Sequence, residues 1–495
     1  MFVIAAAGAL AAAPAPRMDA DTAAWWATTA QLSNDSMEGR DTGSPAYLRA
    51  ARLVAAKFAS AGLKPAGENE SWFQTVPMHE IRVTAAKLSA GGRPLVFLHD
   101  FTISPNEAIP ATVDAPLAYG GYCDAGSLGD VRDKIVICHG TRRAGLPSGA
   151  ERDDAARAAG AIGMLTIADP GFTVEPPRWP YAYARTVTLA TDQAKPDSFL
   201  RMTLNAASLG KLIGGSGRNA AALIAAGSGG QPLPSFAIPT HFHARFTIRQ
   251  RDISSPNVLA YMPGSDPKLA DQVIVLSAHL DGYGYGEPVK SDRIYNGTLD
   301  DAAYVALLIR LAERRQGHPY RRPILFAAWT GEEKGLLGSR WYVAHPTVPL
   351  SRTAADINLD QLRPIFPLKL LTVHALGDTT LGADARTVAH SMGIEVQRDP
   401  EPERNLLQRS DQWNFLKTGI PATAFVFGYR PGSRSEQIYR QWYRTGYHKP
   451  QDDLTQLMDF KAAADFNRFF YALVERVANK PEAPAWMQGS ILRPR

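Results

Sequence analysis

Val273-Ile-Val-Leu-Ser-Ala-His-Leu-Asp281 is the stretch on which the fold turns. Its apolar, β-branched start shows no polar alternation, as expected of a strand covered on both faces, and it ends on a His-x-Asp pair. Further strands are predicted at 323–329, 354–359, 370–374 and 421–427, with helices at 302–315, 336–344, 381–392, 411–418 and 460–478. This alternation predicts an α/β fold, a mostly parallel mixed sheet sandwiched by helices. In such sheets ligands gather at the carboxyl ends of the strands.

That rule selects His279 after the first strand, and Asp300 with Asp301 in Asn296-Gly-Thr-Leu-Asp-Asp-Ala302. It also selects Glu333 with Glu332 after 323–329, Asp360 after Ile357-Asn-Leu359, and His448 in Tyr447-His-Lys-Pro450. Taken singly each is ordinary: Asp-Asp before a helix is a cap, and Glu-Glu is a solvated first turn. Taken together, His279, Asp300, Glu333, Asp360 and His448 are donors suited to zinc. They give each of two metals a partial shell if one carboxylate bridges, and such carboxylate-rich sites also accept manganese or cobalt. Water held between two metals loses a proton readily, so the predicted chemistry is hydrolysis of peptide or other amide bonds. Of the Glu332-Glu333 pair, one can bind metal while the other serves as general base. Asp281 is placed to accept the second N–H of His279, and Tyr447 to donate to a developing oxyanion.

Outward from this region the texture changes. Residues 108–255 carry short apolar runs punctuated by Gly, Pro and Asp, with strands predicted at 134–138 and 161–167 and a helix at 152–159. The Pro/Gly-rich stretches at 176–180 and 214–234 are predicted to be surface loops. His241-Phe-His243 places two rings on one strand face, with a surface or structural role expected. Upstream, 47–58 forms an amphipathic helix, preceded by the loop Met37-Glu-Gly-Arg-Asp-Thr-Gly-Ser44, which is free to pass close to a site.

A charge of +5 over 495 residues, without a dense basic run interleaved with aromatics, predicts no nucleic-acid partner. Residues 1–17, opening MFVIAAAGALAAAPAP, read as a signal segment without a basic start, which predicts export to the periplasm or beyond. No other run is long enough to span a bilayer. Cys123 and Cys138 form no Cys-x-x-Cys pair; they make either one disulfide or free core thiols, so any metal depends on His and carboxylates.

His279-Leu-Asp281, Asn296-Gly-Thr-Leu-Asp-Asp301, Gly331-Glu-Glu-Lys-Gly-Leu-Leu-Gly-Ser339, Asn358-Leu-Asp360 and Tyr447-His-Lys-Pro450, in this order, resemble the zinc aminopeptidase and glutamate carboxypeptidase family of dinuclear metallopeptidases. Glu38-Gly-Arg-Asp-Thr-Gly-Ser44 resembles its lead-in. The resemblance implies two Zn2+ ions, one on His279 and Asp360, the other on Glu333 and His448, with Asp300 bridging and Glu332 as base. It also implies a cis peptide after Asp300 and a zinc-exopeptidase-like fold. The segments Asp133-Lys-Ile-Val-Ile-Cys-His-Gly140 and Ala155-Ala-Arg-Ala-Ala-Gly-Ala161 resemble a protease-associated domain. The expected organisation is a catalytic domain at 18–107 and 256–480, that smaller α/β domain inserted at 108–255, and a tail at 481–495. Gln412 departs from a frequent His, and Ala303-Tyr304 from a frequent Ser-Gly, so that Tyr304 is expected to narrow the space behind the metals.

The expected activity is an aminopeptidase acting on peptides. The alternative is a glutamate-type carboxypeptidase, which needs arginines around the pocket; Arg404, Arg409, Arg430 and Arg434 are candidates. More distant alternatives are a glutaminyl-cyclase-like acyl transferase with one zinc and a metal-free receptor-like binding protein. The intact ligand set and Glu332 weigh against both. Oligomeric state and side-chain preference are not encoded.

Overall fold

The computed structural model describes residues 18–192, 196–360 and 362–494, so the signal segment expected at 1–17 lies outside the described residues. Its centre is the predicted parallel sheet. Strands Ala422–Thr423, Thr353–Asn358, Val273–His279 and Ile324–Trp329 run parallel in that order. Every residue of Val273–His279 is buried, which accounts for the unbroken apolar run.

Alternation along that strand distributes its side chains between two cores. Ile274, Leu276 and Ala278 join Trp25, Tyr47, Val305 and Phe466, which come from the helices Ala20–Ser33, Pro45–Ser60, Ala303–Arg314 and Phe460–Asn479. Val273 and Val275 join Tyr342 and Phe415 from the helices Leu337–Ala344 and Gln412–Lys417 on the opposite face. At roughly 1.5–3 kcal/mol per fully buried aliphatic side chain, this double coverage fixes the strand in the middle of the molecule. Tyr304 belongs to the first core, where its ring meets Phe466 edge-on at 6.1 Å.

Beyond Ile324–Trp329 the sheet continues through two long antiparallel strands, Phe73–Ala90 and Phe236–Met262, in register from Phe73↔Val258 to Ala90↔Phe242. They lead to a further hydrophobic core containing Leu88, Phe101, Ile135, Ile137, Leu165, Leu204 and Phe242. Strands Thr112–Tyr119, Ile135–Gly140, Gly163–Ala168 and Leu200–Asn205 cross that core. It draws in residues from Val83 onward, N-terminal of the boundary expected at 108. The stretch 214–234 is not loop throughout: Ala220–Ser228, rich in strong helix formers, is a helix capped by Asn219 Oδ1 accepting from Ala222 N at 3.0 Å. Cys123 and Cys138 are joined in a disulfide, with Cα atoms 5.5 Å apart. His241 and His243 are exposed, and both face Asp114, at 3.0 and 3.3 Å. Among the described residues no helix is long and apolar enough to cross a membrane.

Candidate active site

His279 is the last residue of its strand, beside Trp329 at the end of the neighbouring parallel strand. After Trp329 the chain turns at Gly331, whose φ of +66° suits glycine, and presents Glu332 and Glu333. Asp360 follows Thr353–Asn358 by two residues, and Asp300 and Asp301 precede the helix Ala303–Arg314. The five positions selected from the sequence therefore meet at one edge of the sheet. His279 Nε2 lies 3.4 Å from Asp300 Oδ1, 3.9 Å from Glu332 Oε2 and 4.0 Å from Asp360 Oδ1. His448 Nε2 lies 3.3 Å from both Asp300 Oδ2 and Glu333 Oε1. Asp300 thus reaches both imidazoles, one through each oxygen.

Two groups have donor atoms close enough to share an ion: His279, Asp301 and Asp360, and Asp300, Glu333 and His448. Asp301 was seen in the sequence as a neighbour only, yet its carboxylate accepts from the His279 backbone N–H at 3.2 Å. The peptide bond between Asp300 and Asp301 is cis.

Electrostatics support a cationic occupant. Asp300, Asp301, Glu332, Glu333 and Asp360 are five carboxylates with buried side chains, and such a group cannot stay ionised without compensating charge. Burial, with Asp300 nearby, pushes Glu333 up to about 8. Burial also raises Glu332, despite His279, and Asp301. Burial alone would lower His279, but Glu332, Asp300 and the other carboxylates more than offset it. His448 is pulled down to about 3 by burial and then by Arg178, which keeps its ring neutral, as a ligand must be. His279 Nε2 and Asp300 Oδ2 are buried and make no hydrogen bond. Imidazole nitrogens, carboxylate oxygens and buried ligand atoms without hydrogen bonds, in two adjoining groups, fit a pair of zinc ions.

The surrounding shell differs in part from the expected one. The nearer acceptor for His279 Nδ1 is the Asp281 carbonyl at 3.1 Å, whereas the carboxylate is 3.8 Å away. The carboxylate instead accepts from the backbone N–H groups of Glu332 (3.0 Å) and Glu333 (3.4 Å), and from Thr42 Oγ1 (2.9 Å). Thr42 belongs to the glycine-punctuated loop, which does pass beside the site. Its neighbour Arg40, fully buried, donates to the carbonyls of Leu280, Leu32, Asn296 and Gly297, tying together the loops that carry Asp281 and Asp300. Tyr447 is buried, its ring 3.8 Å from His448, and its hydroxyl accepts from Arg409 Nη2 at 3.2 Å.

Gln412 stays out of the pocket: its Oε1 accepts from Asn358 and its Nε2 donates to Leu407 O. The candidate arginines do not converge either. Arg404 is buried against Tyr439, Arg430 pairs with Glu395, and Arg434 is exposed. Arg409 is held by both oxygens of Glu175, at 2.7 and 2.9 Å. Three residues near the site were not legible in the sequence. Arg178, from the stretch expected to be a surface loop, approaches His448 Nδ1 to 2.5 Å and Glu175 to 3.0 Å. Arg363 Nη2 lies 3.4 Å from Asp300 Oδ2, and the Tyr283 ring lies tilted against that of His448, centroids 4.6 Å apart.

Residues 257–474 match the family described as Peptidase family M28. In sequence the chain is similar to a probable leucine aminopeptidase 2 of Aspergillus oryzae, 25% identical over 42% of this chain and 42% of that protein. It is also similar to leupeptin-inactivating enzyme 1 of Streptomyces exfoliatus, 24% identical over 46% and 50%. The chain thus spans half or less of the length of these curated relatives. In fold it resembles an aminopeptidase from Aneurinibacillus sp. strain AM-1, with a TM-score of 0.62 and 18% identity, covering 96% of both chains. A zinc aminopeptidase from Bacillus subtilis gives a TM-score of 0.62 at 18% identity, over 94% of this chain and 97% of that one.

Proposed function

We propose that this protein is a dinuclear zinc aminopeptidase that removes N-terminal residues from peptides. The observation that carries the reading is the position of Asp300, whose two oxygens face His279 and His448 at 3.4 and 3.3 Å. His279 and Asp360 would hold one ion, Glu333 and His448 the other, and Asp300 both; Asp301 backs the His279 side. When bound, two zinc ions supply Lewis acidity to the scissile carbonyl and to the attacking water.

The chain's own residues do the rest. Glu332, beside His279, takes the proton from the water and passes it to the leaving amine. Asp281 fixes the backbone that presents Glu332 and Glu333. Burial raises the Tyr447 hydroxyl, so it keeps its proton, and with Arg409 donating to its oxygen it donates to the developing oxyanion. The excess of carboxylates favours a substrate's free ammonium group. A terminal carboxylate finds less: Glu175 already occupies Arg409 and Arg178, which speaks against the carboxypeptidase alternative.

The segment from about 108 to 255 is proposed as an inserted protease-associated domain whose loop at 175–179 borders the site, with Lys449 Nζ donating to Trp179 O at 3.0 Å. The Cys123–Cys138 disulfide supports export to an oxidising compartment, periplasmic or extracellular. Rates on peptides with free and acetylated amino ends test the activity. Cleavage of the free-amine series alone is expected; preference for blocked peptides with acidic C-termini would overturn the assignment.

A further inference from the structure

Beside the site lies a cleft of about 530 Å3 that the mechanism does not use. One wall comes from the two long strands, with Glu80, Arg82, Arg249 and Arg251, and the other from the hairpin of strands Gly284–Val289 and Asp292–Tyr295, with Tyr285, Glu287 and Arg293. Strand register decides its charge. Arg82 pairs directly with Arg249 on one side and with Arg185 on the other, placing three guanidinium groups in one cross-strand row. Like charges directly opposite each other destabilise a sheet unless an anion offsets them. Arg185 is offset by Asp41 and Glu80, and Glu80 also holds Arg251 at 2.6 Å. Glu287 faces His99 at 3.2 Å. That leaves Arg82, Arg249 and Arg293 without an ion pair among the described residues. Two of them are held in place by aromatic faces, Arg82 over Tyr183 at 5.3 Å and Arg293 over Tyr285 at 5.5 Å.

Aromatic rings link the cleft to the site. Tyr183 lines it and stands 5.7 Å from Tyr283, whose ring is 4.6 Å from His448. An extended peptide covers such a distance in roughly three residues. We propose that this cleft is an anion subsite holding acidic side chains of a peptide substrate about three positions or more beyond the residue being removed. The proposal rests on the peptidase reading of the site, and it makes acidic peptides the preferred substrate class.

The test uses two free-amine peptides, dye-labelled at the C-terminus and identical except for glutamates or glutamines from the fourth residue on. Binding to metal-loaded Glu332→Gln protein is read by fluorescence anisotropy. The glutamate peptide is expected to bind about tenfold tighter, the scale of charge-assisted contacts, with the advantage shrinking as salt is added. Arg249→Gln/Arg293→Gln, both at exposed positions, should abolish the advantage and leave the glutamine peptide unchanged. The same pair on the otherwise native enzyme should lower kcat/KM for the glutamate peptide while sparing a neutral dipeptide amide. Equal binding of the two peptides, or an advantage that survives the double variant, overturns the proposal. Should the glutamate peptide bind selectively yet neither peptide be cleaved by native enzyme, the cleft stands and the peptidase reading falls.

Discussion

Glu332 carries the sharpest consequence at the scale of one residue. It lies within 3.9 Å of His279 but is the acid left over once the metal-holding roles are assigned. Glu332→Gln is expected to keep both metals and to lose roughly 10²- to 10⁴-fold in kcat, the usual range for removal of a general base. Metal content measured alongside turnover separates this from ligand loss; undiminished kcat would refute the base. His374 makes a different residue-scale prediction. Burial pulls it down to about 4, whereas in the unfolded chain it titrates at its ordinary value of 6.5. Between those values the unfolded chain binds a proton that the native state refuses, so stability falls as pH falls through that window. From pH 7 to pH 5 the loss is about 2 kcal/mol, and His374→Gln should lose correspondingly less in urea unfolding at the two pH values.

Among the elements, the segment closed by Cys123 and Cys138, 15 residues apart, is short and local. A loop of this length stabilises by about 3 kcal/mol through the entropy it removes from the unfolded chain. Cys123→Ala/Cys138→Ala should therefore lower the unfolding free energy of the small cluster they share with Leu128, Val136 and Ala156 by about that amount while leaving the His279–His448 cluster assembled. Thermal unfolding with metal content recorded checks both halves of the expectation. Which elements could be read from the sequence follows from their burial. Val273–His279 and Ile324–Trp329 are covered on both faces and appear as unbroken apolar runs. Phe73–Ala90 and Phe236–Met262 alternate buried with exposed positions and carry His, Arg and Thr outward, so they leave no such run, and only the strand face at His241–His243 is legible in them. Ala220–Ser228 was hidden by the glycines and prolines that flank it.

At the scale of the whole molecule, the site was legible where one physical rule, ligands at strand ends, applied to several strands at once. Arg363, Arg178 and Tyr283 obey no such rule. They arrive from the segment after Asp360, from the loop at 176–180 and from beyond the His-x-Asp pair, and only tertiary packing brings them to Asp300 and His448. Asp281 shows the same limit on a finer scale: its proximity to His279 was readable, but not that its carboxylate would turn to the Glu332 and Glu333 backbone. The long strands join the central parallel strands to the strands of the Leu88–Phe242 core in one sheet, so the Arg82–Arg249 row and the cluster around Asp300 share a framework.

The central claim is that this framework holds two ions at one catalytic centre, and stoichiometric reconstitution tests it most directly. Protein stripped with a chelator is titrated with zinc while aminopeptidase activity is followed. Activity that saturates at two equivalents per chain is the predicted result; saturation at one, or activity that never depended on metal, would contradict the account.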